Sequence, residues 1–339
     1  MPQPTSVAQS PRRYGVLLVN LGSPAAPDAA AVRRFLRPFL GDRRVVEIPR
    51  PLWWPLLNLF ILPFRAPRVA RLHQRIWMAE GAPLQVHLER LREAVTARFH
   101  AGSSGGDRIE VRAAVTYGAP AIADQLDALM AAGSDEVIVI PLYPQYSATT
   151  TAAVFDAVSR WMQQRRDLPG LTLVKDYHDH PRYIEALAQS VRTAQQQFGT
   201  PERLLFSFHG IPQANVDQGD PYARHCHRTA EAVAQALGLE LGQWLVAFQS
   251  RFGPAQWLQP YMDEAVKALA AEGVRHLQVI SPSFSLDCLE TLDEIDHEYR
   301  QLFLSQGGER FHYVPALNAG DSQVELLVEL ISCHLPVAR

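Results

Sequence analysis

The sequence predicts an α/β protein of two lobes, each a parallel sheet flanked by helices. Three observations carry this expectation. Short apolar runs alternate with amphipathic helical segments along the chain, the pattern of parallel sheets covered on both faces. Two stretches match in kind: Ala131-Ala-Gly-Ser-Asp-Glu-Val-Ile-Val-Ile-Pro141 and Ala270-Ala-Glu-Gly-Val-Arg-His-Leu-Gln-Val-Ile-Ser-Pro282 both run from helix end through glycine and strand to proline. The length, 339 residues, allows two ordinary domains.

The expected strands are Tyr14–Leu21, Arg108–Thr116, Glu136–Pro141, Leu171–Lys175, Arg203–Phe208, Trp244–Phe248, His276–Ser281 and Phe311–Val314. Between them lie the expected helices. Leu84–Arg98 places Leu84, Leu88, Leu91 and Val95 on one face, a helical period. The others are Ala121–Ala132, Thr150–Gln164, Pro181–Phe198, Tyr222–Leu237, Trp257–Glu272, Cys288–Phe303 and Gln323–Leu335. The organisation expected is a mobile tail over 1–13, a first lobe over 14–175, a second over 176–314, and a C-terminal helix within 315–339 packing on the first lobe.

Composition narrows the function. Hydrophobic residues make up 47% and charged residues 20%, as in a globular protein. The formal net charge is −3 and no Lys/Arg block stands out, so a nucleic-acid partner is set aside. Cys226, Cys288 and Cys333 are an odd number without CxxC spacing, which argues against a disulfide framework or a four-cysteine metal site and for a reducing compartment. The polar segment Met1–Arg13 lacks the apolar core of a signal peptide, so a cytoplasmic location is expected. No Gly-rich dinucleotide or P-loop phosphate cradle occurs. The apolar run Pro51–Phe64 falls short of the roughly 20 residues a bilayer crossing needs. Arg50, Arg65, Arg68, Arg71 and Arg75 flank it. It packs inside the fold or forms a pocket lip resting on a membrane surface.

Two segments carry chemistry. Leu204-Leu-Phe-Ser-Phe-His209-Gly-Ile-Pro212 delivers an imidazole at a strand end. The run from Val279 delivers Asp287 and Glu290 just beyond the next strand. Ligands of open parallel sheets bind outside the carboxyl ends of the strands, so two such strands in one sheet aim His209 and Glu290 into one crevice. A nitrogen base facing a carboxylate can bind a divalent metal, move protons, or both. His209 alone also fits a structural hydrogen bond. Glu290, Glu294 and Glu298 recur every fourth residue. On an α-helix they form one acidic side, with Leu289, Leu292, Ile295 and Tyr299 roughly opposite. That side faces water, or borders a wet crevice and passes cations or protons to Glu290, with Asp287 as a further oxygen ligand or proton acceptor. Tyr143-Pro-Gln-Tyr146-Ser147 and the following threonines suit a flat ligand with polar edges, or a helix cap. Arg251 pairs with a ligand carboxylate or an acidic neighbour.

Taken together these segments resemble the ferrochelatases, which insert ferrous iron into a porphyrin. The matching pieces are Ser207-Phe-His209-Gly-Ile-Pro212, Phe248-Gln-Ser-Arg-Phe-Gly253 and Asp287-Cys-Leu-Glu290-Thr-Leu, supported by Gly81-Ala-Pro-Leu84 and Tyr143-Pro-Gln-Tyr-Ser147. They span Gly15 to Asn318 in one order. The resemblance implies chelatase-like architecture, two Rossmann-like lobes with the porphyrin in the cleft. It implies His209 and Glu290 as the catalytic and metal-contacting pair, Asp287 as support, and Glu294 and Glu298 as the acidic path. Leu21, Tyr117, Tyr146, Ser147 and Arg251 would border the macrocycle. The substrates implied are protoporphyrin IX and Fe2+, with iron a substrate and no resident cofactor. The lip at Trp53–Phe64 implies peripheral contact with the inner membrane face. A chelatase for another metal or for coproporphyrin III, and a non-catalytic porphyrin or haem carrier, are the rival readings. This chain departs from many relatives at three places. Thr116 stands where they carry arginine, removing one porphyrin-edge contact. Ser283 stands where some carry glycine, which predicts a strained or altered loop if that glycine has positive φ. Only Cys333 lies near the C-terminus, so no [2Fe–2S] cluster is expected.

Overall fold

A computed structural model describes residues 13–102 and 108–335. The expected tail falls outside the described residues except for Arg13, which opens the first strand. Two four-stranded sheets form, every pair parallel. The first joins β1 (Arg13–Asn20), β2 (Arg108–Val115), β3 (Glu136–Pro141) and β4 (Gly170–Leu173) in the order β2-β1-β3-β4. The second joins β5 (Arg203–His209), β6 (Trp244–Gln249), β7 (His276–Ile280) and β8 (Arg310–Val314) in the order β6-β5-β7-β8. The two orders are the same permutation. The matching sequence stretches lie on β3 and β7, the same place in each sheet.

The central strands are largely apolar on both sides because helices cover both faces. Val16 and Leu18 of β1 pack with Leu88, Leu91 and Val95 of α4, while Leu17 and Val19 face Leu126, Val158 and Trp161 on the other side. Leu204, Phe206 and Phe208 of β5 likewise oppose Leu205. The α4 side of the first sheet, the Phe206 side of the second and Leu326, Leu327 and Leu330 of the last helix form one continuous apolar cluster. That cluster joins the lobes.

The helices in chain order are α1 (Ala29–Gly41), α2 (Arg50–Leu56), α3 (Leu62–Ile76), α4 (Pro83–Gly102), α5 (Ile122–Ala131), α6 (Thr151–Met162), α7 (Pro181–Phe198), α8 (Gln213–Asp217), α9 (Tyr222–Leu237), α10 (Met262–Ala271), α11 (Arg300–Ser305) and α12 (Asp321–Ser332). A π-turn, Leu57–Ile61, links α2 to α3, and a longer π-helix, Glu290–Tyr299, runs into α11. The last helix, α12, touches α4 of the first lobe and α7 of the second.

Three differences from expectation have physical causes. The prolines of Pro51–Phe64 hide one unbroken helical run over 50–76, in which α2 passes through the π-turn into α3: Pro51 sits in its first turn, where a missing N–H costs nothing, and Pro55 and Pro67 lie inside it. Val32, Leu36, Leu40, Trp53, Leu57 and Leu62 close its own small core. The helix expected from Trp257 starts only at Met262, because Pro260 biases the residue before it away from helical geometry. The helix expected over Cys288–Phe303 is π-helical for most of its length.

Phe206 is fully buried at the seam between the lobes. Phe206→Ala is expected to destabilise the protein by about 3–5 kcal/mol. A urea midpoint equal to that of the wild type would contradict a shared core.

Candidate active site

His209 is the last residue of β5 and pairs in register with Gln249 of β6. Its backbone N–H donates to Ser283 Oγ at 3.3 Å, and its Nδ1 lies 2.6 Å from the Gly210 carbonyl oxygen. A carbonyl only accepts, so Nδ1 carries the hydrogen, and in the neutral ring the lone pair is then on Nε2. Ser283 is not strained: among described non-glycine residues only Ser250 and Asn318 have positive φ. Its hydroxyl instead joins β5 to the loop after β7.

Three buried hydroxyl and amide groups fix this crest. Ser281 Oγ donates to the Ser207 carbonyl at 2.8 Å, and Ser207 Oγ donates to Gln249 Oε1 at 2.5 Å. Gln249 Nε2 in turn donates to the backbone carbonyl of Glu290 at 3.3 Å. Strand β6 thus holds the first residue of the π-helix.

Asp287 is the second anchor, 4% exposed. Its Oδ1 accepts from Thr291 Oγ1 at 2.9 Å, Tyr313 OH at 2.8 Å and the Ala316 N–H at 3.3 Å, and its Oδ2 accepts from Asn318 Nδ2 at 2.7 Å. Those donors occupy the carboxylate. It orients the helix that carries Glu290.

The π-helix changes how the acidic residues lie. Its i→i+5 bonds widen the turn to roughly 4.4 residues. Residues four apart stay near one line, and residues five apart come together. Tyr299, expected opposite the glutamates, therefore donates its hydroxyl to Glu294 Oε1 at 3.1 Å. Ser250 completes the grip: at φ 66° its N–H donates to Glu294 Oε1 at 2.9 Å and its hydroxyl to Oε2. Burial raises the Glu294 carboxyl above the ordinary range, and the charge of Glu290 adds to this. The Ser250 and Tyr299 hydrogen bonds and the nearby His209 pull it back. Glu294 therefore feels both His209 and Glu290. Glu298, two steps on, is exposed.

Helix α3 lies across this helix from the first lobe. Arg75 Nε pairs at 3.1 Å with Asp293 Oδ1, a side chain 3% exposed. Burial raises the Asp293 carboxyl while Arg75 opposes the rise. Burial lowers the His73 imidazole, with Glu290 and Asp293 acting the other way. Arg65 stands 5.0 Å over the Phe252 ring, its basicity lowered by burial and partly restored by Glu290.

A hollow of about 1150 Å³ opens on the first lobe, lined by Asp42, Arg43, Arg44, Arg50, Thr116, Tyr117, Asp156 and Arg160 among others. Neither His209 nor Glu290 is on that wall. Tyr117 donates its hydroxyl to Asp42 Oδ2 at 2.9 Å. Where an arginine is lost at Thr116, the wall has arginines from other elements, and both terminal nitrogens of Arg50 are buried without a hydrogen-bond partner.

The remaining expected contacts divide. Tyr146 is half-buried, under Lys175 Nζ at 5.2 Å from its ring and within the field of Arg44 and Asp156 of the hollow. Leu21 is half-buried at the end of β1, its carbonyl accepting from the Tyr117 N–H at 2.9 Å. Ser147 donates its hydroxyl to Asp220 Oδ2 at 2.9 Å. Arg251 pairs with Asp263 at 3.2 Å and Glu264 at 3.5 Å, its acidic neighbours. Sequence reasoning missed Ser250, Asp293, Arg75 and Arg50. The arginines flanking the Pro51–Phe64 run were the available signal for two of them. The other two lie within quoted motifs but depend on the π-helix Glu290–Tyr299.

A two-lobed α/β fold with an imidazole and glutamates beside the strand ends of its second sheet is that of a metal chelatase. The fold matches that of SirB from Bacillus subtilis with Fe3+, at TM-score 0.56 and 12% identity over 94% of each chain. A family model described as Ferrochelatase matches residues 13–335. A ferrochelatase of Aeromonas hydrophila is 49% identical over 323 residues, covering 95% of this chain and 99% of that protein. One from Edwardsiella ictaluri is 51% identical over 320 residues, covering 94% and 98%. The chain belongs to the ferrochelatase family.

A carboxyl whose folded pKa is raised favours the folded state at low pH and weakens it as pH climbs past the ordinary value near 4.3. Glu294→Gln removes that loss. The stability of the variant relative to wild type is expected to rise with pH above about 4 and stay flat below. A difference that falls, or stays constant from pH 4 to 8 in thermal melts, would refute the burial assignment.

Proposed function

We propose that this chain inserts ferrous iron into protoporphyrin IX, giving protohaem, the last step of haem synthesis, with His209 and Glu290 carrying the exchange of protons for metal. The observation behind this reading is that His209 and Glu290 both act on the buried Glu294, whose carboxyl is raised above its ordinary range by burial. Insertion removes two pyrrole protons and strips water from Fe2+. His209 Nε2, its lone pair free because Nδ1–H is held by Gly210, accepts a pyrrole proton near neutral pH. Glu290 offers oxygen to the iron, a borderline divalent ion that takes both nitrogen and oxygen ligands. Glu294 stores or relays protons, and Glu298 marks the outer end of the acidic path.

Acid groups of the substrate find the arginine-lined hollow. Arg50 presents an unpaired guanidinium fork, the geometry that binds a carboxylate through two hydrogen bonds. Leu21, Tyr117 and Tyr146 supply walls for the ring. No cofactor or [2Fe–2S] cluster enters the reading: iron is substrate, and Cys226 and Cys288 are buried singly as free thiols.

The same reading includes contact with a membrane face from the cytoplasmic side. No helix among the described residues is long and apolar enough to cross a bilayer. Yet Leu52 (69% exposed), Leu59 (66%), Phe60 (59%) and Phe64 (78%) form an apolar stripe along α2, the π-turn and α3. Arginines flank it, the make-up of an interfacial lip.

His209→Ala and Glu290→Gln are each expected to slow anaerobic haem formation from protoporphyrin IX and Fe2+ by at least about 100-fold, with far-UV circular dichroism unchanged. Near-normal turnover of either variant sinks the assignment, and turnover of coproporphyrin III alone sinks the substrate. For the lip, Phe60→Ser/Phe64→Ser is expected to weaken sedimentation with anionic vesicles roughly tenfold or more. Unchanged sedimentation would rule it out.

A further inference from the structure

The link from β4 into α7 meets the first turn of α9. There Asp176, His178 and His225 each bring one ligand atom to within 4.8 Å of the others. His178 Nδ1 lies 2.8 Å from Asp176 Oδ1, and its Nε2 lies 4.0 Å from Asp179 Oδ2. The His178 and His225 rings are stacked, centroids 3.7 Å apart and planes 2° from parallel. Thr229 holds the pair in place: its hydroxyl contacts the backbone carbonyls of His178 at 2.7 Å and of His225 at 3.0 Å. His225 is 6% exposed, and its Nδ1 has no hydrogen-bond partner. A buried, unpaired ring nitrogen is costly unless something completes it.

We propose that Asp176, His178 and His225 form a second divalent-metal site, separate from His209 and Glu290, for a late first-row cation such as Zn2+ or Co2+. Two imidazoles and a carboxylate suit those ions, leaving further positions for water. The distances favour exchange. Two ligands bound at about 2.0–2.1 Å to one ion stand roughly 2.9–3.4 Å apart. The hydrogen-bonded pair Asp176–His178 is already close to that spacing. The cation replaces the proton between them, and the proton moves to His178 Nε2, facing Asp179. That gives the carboxylate–histidine–metal arrangement that orients ligating histidines. One ion cannot lie in the planes of two parallel stacked rings. His225 must therefore turn about its Cβ–Cγ bond to aim Nδ1, a movement that breaks no hydrogen bond of that atom. Arg224 and Lys175 act on the His225 ring as neighbouring cations. The same two cations oppose a metal, so binding is expected to be weaker than at closed four-ligand sites.

The test uses tag-free, full-length protein carrying His209→Ala and Glu290→Gln, which silences the catalytic pair independently of its assigned role. Co2+ titration followed in the visible range is expected to show one ion per chain, displaced by Zn2+. Adding His225→Ala or Asp176→Asn is expected to weaken binding at least tenfold. His225→Gln, closer in size and polarity, guards against a packing defect, and circular dichroism checks each fold. Absence of stoichiometric Co2+ binding overturns the proposal, as does equal affinity in folded variants lacking His225 or Asp176.

Discussion

The Asp287 carboxylate is the constraint on which the rest of the site depends. A buried charge is tolerated only when fully hydrogen-bonded. Thr291, Tyr313, Ala316 and Asn318 meet that demand from three different elements. The result is a rigid joint between the loop after β7, the end of β8 and the start of the π-helix. Glu290 sits three residues beyond the joint, so its position follows from the hydrogen bonds of a residue that need not touch the substrate.

From that joint the π-helix sets the electrostatics. Its wide turn brings Tyr299 under Glu294 and turns Asp293 toward Arg75 on α3. The acidic row is thereby divided by environment. Glu294 is enclosed and holds its proton more tightly than an ordinary glutamic acid, while Glu298 is exposed to water. A graded series from wet to enclosed is what a path for protons or hydrated cations requires. Ser250, in a backbone region few serines adopt, is held there by two hydrogen bonds to Glu294.

Much of this was legible in the residues. Strands buried on both faces read as unbroken apolar runs, and all eight appear within a few residues of expectation. His209 and Glu290 were visible because parallel strands deliver side chains at their carboxyl ends. What stayed hidden depends on geometry that periodicity does not encode. An α-helical wheel sends Tyr299 to the wrong side, since nothing in Glu290–Tyr299 announces a π-helix. Prolines disguised α2 and α3 as an irregular run. Ser283 reads as strained beside relatives with glycine, yet it is an ordinary residue whose hydroxyl binds the backbone of His209.

The shared permutation of the two sheets has an evolutionary meaning. A polypeptide of half this length, bearing one such sheet, would already own a crest of strand ends. Duplication and fusion would then free each half to diverge. Here the guanidinium groups that line the hollow lie in the leading half, and the imidazole and glutamates lie in the trailing half. Symmetry in topology thus coexists with specialisation in side chains, and neither half retains what it would need to act as its own partner.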